Sequence, residues 1–193
     1  MASSQYRNTG TAGSDTSSGT LGSWNVPEFA YSTNLNFFTA YANQTNVSPE
    51  SPYLLKLSSL AFSIPAEALI TGITLDMNHA YSTNAAPPGS VSLQDNQIRL
   101  VKSNGTFSSV NYASYQWPEN PNAGGATYGG SSDLWGETWT STDINSSNFG
   151  AVIQPVGYVV SGPTTLYFGR VTFCAITVYY TDSVSPLPTF FRT

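Results

Sequence analysis

The sequence predicts an all-β fold, an antiparallel β-sandwich or jelly roll with extended arms at both ends. Three observations lead there. Ser, Thr, Asn and Gly are abundant; the polar side chains compete for backbone hydrogen bonds and Gly loses excess entropy in a helix, whereas the accompanying Thr, Val, Tyr and Phe suit a pleated surface. Segments of alternating polarity recur, clearest in ITGITLDMNHAYS, where Ile73, Leu75, Met77, His79 and Tyr81 share one face. Turn chemistry separates these segments, as in NAAPPGS and the hairpin dipeptide Asn104-Gly105. About seven or eight short strands punctuated in this way suit a sandwich better than a parallel sheet.

The bulk numbers bound the function. With 193 residues the chain fits one ordinary domain plus extra segments. Hydrophobic residues at 40% and aromatics at 13% supply enough apolar material for a core. Charged residues reach only 9%, against a usual share of about 25%, so neutral hydrogen-bonding groups solvate most of the surface. A net charge of −5 with six Lys plus Arg leaves nothing to neutralise a row of phosphates, which argues against nucleic acid and equally against anionic membranes. No stretch approaches the roughly 18 apolar residues of a transmembrane helix, and residues 1–22 lack the basic start and apolar run of a signal peptide, so synthesis in a cytoplasm is expected. Cys174 is the single cysteine, which rules out an intrachain disulfide and a Cys-rich zinc site.

Along the chain, residues 1–22 are small and polar and read as a flexible arm that cannot bury enough apolar surface to order itself. Residues 23–52 interleave Trp24, Phe29, Tyr31, Phe37, Phe38 and Tyr41 with Asn, Thr and Pro, an extended aromatic anchor segment. Residues 53–181 carry the sandwich. YLLKLSSLAFSIP reads as a strand ending at Pro65; on the next, Thr74, Asp76 and Asn78 form the solvated face; SVSL, NQIRLVKS and TFSSVNYAS follow as antiparallel partners. A long glycine-bearing loop, WPENPNAGGATYGGSSDLWGETW, leads to Thr140-Ser141-Thr142-Asp143, which has the form of a capping box for one helical turn. FGAVIQPVGYVV and TTLYFGRVTFCAITVYYT close the domain. The latter has Cys174, Ile176 and Val178 on one face and Val171, Phe173 and Ala175 on the other, so it is either buried from both sides or bulged near Gly169. Residues 182–193 form a second arm ending in Phe190 and Phe191, and with the aromatics of residues 23–52 these are the candidate partner-docking residues.

Catalytic constellations are sparse. The one histidine, His79, and Cys174 both fall on apolar strand faces, where a satisfied core histidine and an inert thiol are the commoner fates. Asp133, Glu137 and Asp143 lie beside Trp135 and Trp139. Paired carboxylates next to aromatics suit glycoside hydrolysis or a sugar platform, which makes Trp135, Trp139 and Asp133 candidate glycan contacts. In the plainer reading Asp133 fixes a turn, Asp143 caps the helix and the tryptophans pack beneath the loop. Asp95 and Asp133 are isolated oxygen ligands without calcium-loop spacing, the four Asn sequons are chance matches in an Asn- and Ser-rich chain, and no phosphate-binding or dinucleotide fingerprint is present. Neither a metal nor a cofactor is expected.

The run YGGSSDLWGETWTSTDINSSNFGAVI, with the upstream FSIPAEALITGITLDM, IRLVKSNG, YQWP and the closing AITVYYT, resembles a β-sandwich module of bacteriophage and prophage virion proteins, tail- or head-associated, over about residues 24–181. The resemblance is most specific from Tyr128 to Gly150 and implies a place in the particle and no catalytic activity. Short arms in place of a fibrous stalk shift the expectation toward a capsid decoration or cement protein, bound to the major capsid protein or to tail proteins and to further copies of itself, assembled in the host cytoplasm. The alternative is a tail- or fibre-associated module that holds host surface glycans.

Overall fold

The computed structural model describes residues 2–19, 24, 40–43, 51, 53–83, 91–119, 125–159 and 166–182. These form nine strands and one short helix: β1 (Ala2–Arg7), β2 (Thr11–Asp15), β3 (Ala40–Asn43), β4 (Leu54–Ser58), β5 (Leu69–Thr83), β6 (Val91–Val101), β7 (Gly125–Gly130), α1 (Ser141–Asn145), β8 (Gly150–Val159) and β9 (Leu166–Thr181). One sheet runs β1-β9-β5-β7, with β3 also on β9; the other runs β2-β4-β8-β6. Every strand pairing is antiparallel. The chain is thus an all-β antiparallel sandwich.

The core lies between the sheets and follows from the alternation. Ile73, Leu75 and Met77 of β5 and Cys174, Ile176 and Val178 of β9 face Leu55 and Leu57 of β4, Ile98 and Leu100 of β6, and Ala151 and Ile153 of β8 in one buried cluster. Burying each of the larger aliphatic side chains contributes about 1.5–3 kcal/mol. His79 and Tyr81 continue the inward face of β5. On the opposite face Asn78 is exposed and Asp76 half-buried, but Thr74, expected to be solvated, is buried.

Three bulges place side chains that strict alternation would misdirect. In the β5/β9 pair, Ile70 opposes Tyr180 and Gly72 opposes Tyr179, leaving Thr71 as the extra residue; Ile70 and Ile73 therefore both reach the core. Asn78 opposes Phe173 and His79 opposes Val171, so Thr172 is extra. That bulge turns Val171 inward beside Cys174, which corrects its expected grouping with Phe173 and Ala175. In β6 the extra residue is Asn96, and Leu93 and Asp95 before it share the inward side with Ile98 and Leu100 after it. A bulge adds one residue to one strand and resets which face the rest of it presents.

The second sheet is covered on its outer side as well. Leu54, Val101 and Val152 form a small separate cluster against Phe107. Beside it Gln154, fully buried, accepts hydrogen bonds from Asn96 Nδ2 (2.8 Å) and Gln97 Nε2 (3.0 Å).

Four further expectations are corrected. Residues 2–7 and 11–15, read as part of a flexible arm at residues 1–22, are strands: β1 lies along β9 from Ala2↔Thr181 to Arg7↔Ile176, and β2 along β4. Their order comes from main-chain ladders, which need no apolar side chains. Side chains add to it, since Gln5 Nε2 donates to the Ser63 carbonyl (2.6 Å) while Gln5 Oε1 accepts from Ser63 N–H (3.0 Å). Arg7 Nε donates to the Ala61 carbonyl (3.2 Å), and its guanidinium sits 5.4 Å from the centre of the Phe62 ring. The strand expected to reach Pro65 stops at Ser58, because Ser59 and Ala61 adopt left-handed backbone with φ of 55° and 53°. Leu60, Phe62 and Ile64 still point inward from this connection. Residues 106–114, expected as a hairpin strand, form with residues 115–117 an irregular strap along the edge of β6, with Ser108 N–H on Leu100 O, Tyr112 N–H on Ile98 O and Trp117 N–H on Leu93 O (2.7–3.0 Å). Finally, GATYGG, read as loop, is strand β7, paired with β5 from Ile73 to Asn78.

Candidate functional site

The block from Tyr128 to Asn145 is where the sequence concentrates its candidate chemistry, and there the structure builds a clasp. Gly129 and Gly136 have φ of 76° and 73°, and a Cβ on Gly136 would stand 2.3 Å from Ser109 Oγ, so the chain passes in contact with the strap. Trp135 takes a left-handed backbone with φ of 57° and is 0% exposed; its Nε1 donates to the Ile73 carbonyl (2.9 Å), and its ring meets Tyr112 edge-on at 4.8 Å. Trp139 is 7% exposed, donates from Nε1 to the Leu134 carbonyl (2.8 Å) and packs edge-on to Phe149. Neither tryptophan presents an open ring face, so the expected glycan platform is replaced by the plainer reading, in which both pack beneath the loop.

Each carboxylate of the block is engaged by the fold. Asp133 accepts from Trp135 N–H (2.8 Å) and from the Tyr112 hydroxyl, a bond that, with burial, pushes the phenol up to about 12. Glu137 accepts from Ser109 N–H (3.0 Å) and lies 3.8 Å from Lys102 Nζ, which donates to the Thr138 carbonyl (2.8 Å). Asp143 completes the predicted capping box: its N–H donates to Thr140 Oγ1 (3.1 Å) while its carboxylate accepts from Thr140 N–H (3.1 Å) and from Ser103 Oγ (2.6 Å). Burial alone would raise the Asp143 carboxyl, but the bonds from Ser103 and Thr140 outweigh it and hold it below the ordinary range. Each of these three carboxylates is thus held by its own set of donors.

The remaining candidates divide. Trp24, expected to dock on a partner, is 6% exposed; its Nε1 donates to the Tyr53 carbonyl (2.6 Å) and its N–H to Ser14 Oγ (2.7 Å), so it is a core residue that pins β2. Tyr41 lies in β3 opposite Phe168. Phe29, Tyr31, Phe37, Phe38, Phe190 and Phe191 lie outside the described residues. Cys174 is fully buried, which pushes its thiol up and keeps it from the reactive thiolate form.

A constellation that sequence reasoning missed surrounds Asp95, first seen only as an isolated oxygen ligand. Asp95 is 6% exposed and accepts from Trp117 Nε1 (2.7 Å), the Tyr128 hydroxyl (2.9 Å), Tyr115 N–H (3.0 Å) and Ser114 N–H (3.4 Å). It thereby joins β6, the strap and β7 of the facing sheet. Burial pushes the Tyr128 phenol up, with the Asp95 carboxylate adding to it. His79 is 5% exposed, with its ring 4.9 Å from that of Trp117 and the Met77 backbone beside it. Alternation did not point this way: counted back from Ile98 and Leu100 it sets Asn96 and Gln94 inward, and only the bulge at Asn96 turns Asp95 to the core face, where a carboxylate needs several donors.

No family model matches the chain, and comparison with curated proteins finds no match. The class that the fold and this geometry define is a two-sheet antiparallel β-sandwich whose polar clusters serve its own closure.

Proposed function

We propose that the protein is a non-enzymatic structural component of a bacteriophage particle, a decoration or cement protein that binds the assembled shell. The observation that carries the reading is the inward commitment of the clasp. Trp135, Trp139, Asp133, Glu137 and Asp143 lie in the block on which the likeness to virion modules is most specific, and they close the sandwich instead of facing a ligand. A scaffold closed on itself, with a surface poor in charge, suits permanent packing against neutral neighbours. A cement protein acts by mass action, binding the assembled shell and not the loose subunits, so that shell stability rises with occupancy. Under this reading the docking contacts come from Phe29, Tyr31, Phe37, Phe38, Phe190 and Phe191, aromatic anchors of the kind that dominate interfaces.

The test is reconstitution of bare shells with the full chain, with a chain ending at residue 185, and with F37S/F38S. Residues 1–22 are unsuited to deletion because they contain β1 and β2. Full occupancy and a raised shell melting temperature are expected with the full chain, and at least about a tenfold loss of affinity with either variant, equivalent to roughly 1.4 kcal/mol. Unchanged occupancy in both variants, or label found on tails and absent from heads, would overturn the cement reading.

A further inference from the structure

We propose that His79, Asp95 and Trp117 form an acid-operated latch, in which protonation of His79 frees residues 111–117 from the edge of β6. The strap is held there in three ways, one of them the Asn111 side chain, whose Oδ1 accepts from Ile98 N–H (2.8 Å) and whose Nδ2 donates to the Asn96 carbonyl (2.9 Å). Backbone bonds join Tyr112 N–H to Ile98 O, Asp95 N–H to Tyr115 O and Trp117 N–H to Leu93 O (2.7–3.0 Å). From the core side, the Asp95 carboxylate takes Ser114 N–H, Tyr115 N–H and Trp117 Nε1. One buried carboxylate thus gathers three donors of the strap and, through Tyr128, secures them to the facing sheet.

His79 is the group placed to disturb this. Its ring is buried against Trp117, with the Met77 backbone beside it. The titratable groups around this cluster are Asp95 on β6, Tyr128 on β7, Tyr115 on the strap and Cys174 on β9, with Tyr81 next along the inward face of β5. Arg170 pairs with Ala80, which alternates to the other face of β5, and Glu119 acts on Tyr81. Burial raises the Cys174 thiol and the Tyr128 phenol, so both are neutral at neutral pH, and the charge acting on His79 is Asp95. A second proton on the ring would create a buried cation acted on by the Asp95 carboxylate, whose Oδ2 already accepts from Tyr128, Tyr115 and Ser114 and whose Oδ1 accepts from Trp117 Nε1. An imidazolium drawn toward Asp95 competes with Trp117 and the strap amides for the carboxylate, and water admitted to solvate the cation competes for the same bonds.

The direction in pH follows. Burial pushes the His79 imidazole below its ordinary range, more strongly than the Asp95 charge and the Met77 carbonyl raise it. The latched state therefore binds the proton less readily than the open one; it is fully favoured above the ordinary histidine range of about 6.5 and loses population as pH falls. Release uncovers main-chain donors and acceptors on β6, which an incoming strand can pair with.

His79 is the only histidine in the chain, so its imidazole resonance is unambiguous in a proton NMR titration of the full-length protein. The companion measurement is amide hydrogen exchange, expressed as protection factors to remove the intrinsic pH effect. Protection at Tyr112, Tyr115 and Trp117 is expected to fall by about tenfold or more through the imidazole titration, while Leu75 and Ile176 stay protected. In H79F the strap amides should show no such step. Strap protection that stays flat while the wild-type imidazole titrates, or loss at Leu75 and Ile176 at the same pH, would overturn the latch. Neither of those results depends on the variant folding.

Discussion

At one seam of the sandwich β1 and β2 lie along β9 and β4, held by ladder bonds and by Gln5 and Arg7 reaching the backbone of residues 61–63. At the other seam the edges of β6 and β7 are bridged by the strap and the clasp, through Trp117, Tyr128, Trp135 and Asp95. The first closure buries no large side chain of its own two strands: β1 (ASSQYR) alternates exposed and half-buried, and β2 (TAGSD) is half-buried after Thr11. Aromatic rings around a buried carboxylate make the second. Main-chain pairing tolerates almost any small residue, since its energy lies in groups that every residue carries. An aromatic seam depends on individual side chains and on the exact backbone that seats them, here the left-handed Trp135 and the constrained Gly136. The two seams should therefore respond very differently to single substitutions.

The sharpest way to break the contrast is Trp135→Ala. It removes a fully buried ring and leaves the Ile73 carbonyl without its indole donor, and a loss of about 3–5 kcal/mol is expected in urea unfolding. A loss below about 1 kcal/mol would mean that the clasp is not what closes its seam. A smaller effect is expected at the opposite seam. Gln5→Ala deletes both bonds to Ser63 and should cost about 1–2 kcal/mol, with faster exchange of the Ser63 amide as the local marker. A cost equal to that of Trp135→Ala would erase the distinction between the seams. Smallest of all is Thr140→Ala, which opens the capping box of α1. About 1 kcal/mol is expected, confined to exchange near Asp143 and leaving β1 and β2 unchanged.

Much of this architecture was legible in the sequence wherever a local rule decided it. The alternation of Ile73, Leu75, Met77, His79 and Tyr81 set one face of β5 against the core, and Thr140 with Asp143 specified its cap without reference to anything distant. The candidate site was less legible. Trp135 and Trp139 beside acidic residues read equally well as a sugar platform or as packing, because sequence spacing does not say which way a ring faces. Asp95 passed for an isolated ligand because its donors come from residues 114, 115, 117 and 128, all distant in sequence.

The sequence by itself determined the all-β class, the inward residues of the long strands and the helical cap, since solvent exclusion and capping act over a few neighbouring residues. Only the tertiary structure decided that residues 2–7 and 11–15 become edge strands, that GATYGG pairs with β5, and that bulges at Thr71, Asn96 and Thr172 reset the faces. A polar strand carries no hydrophobic signature; the ladder that orders it belongs to the edge it meets, and that edge exists only once the rest of the chain has folded.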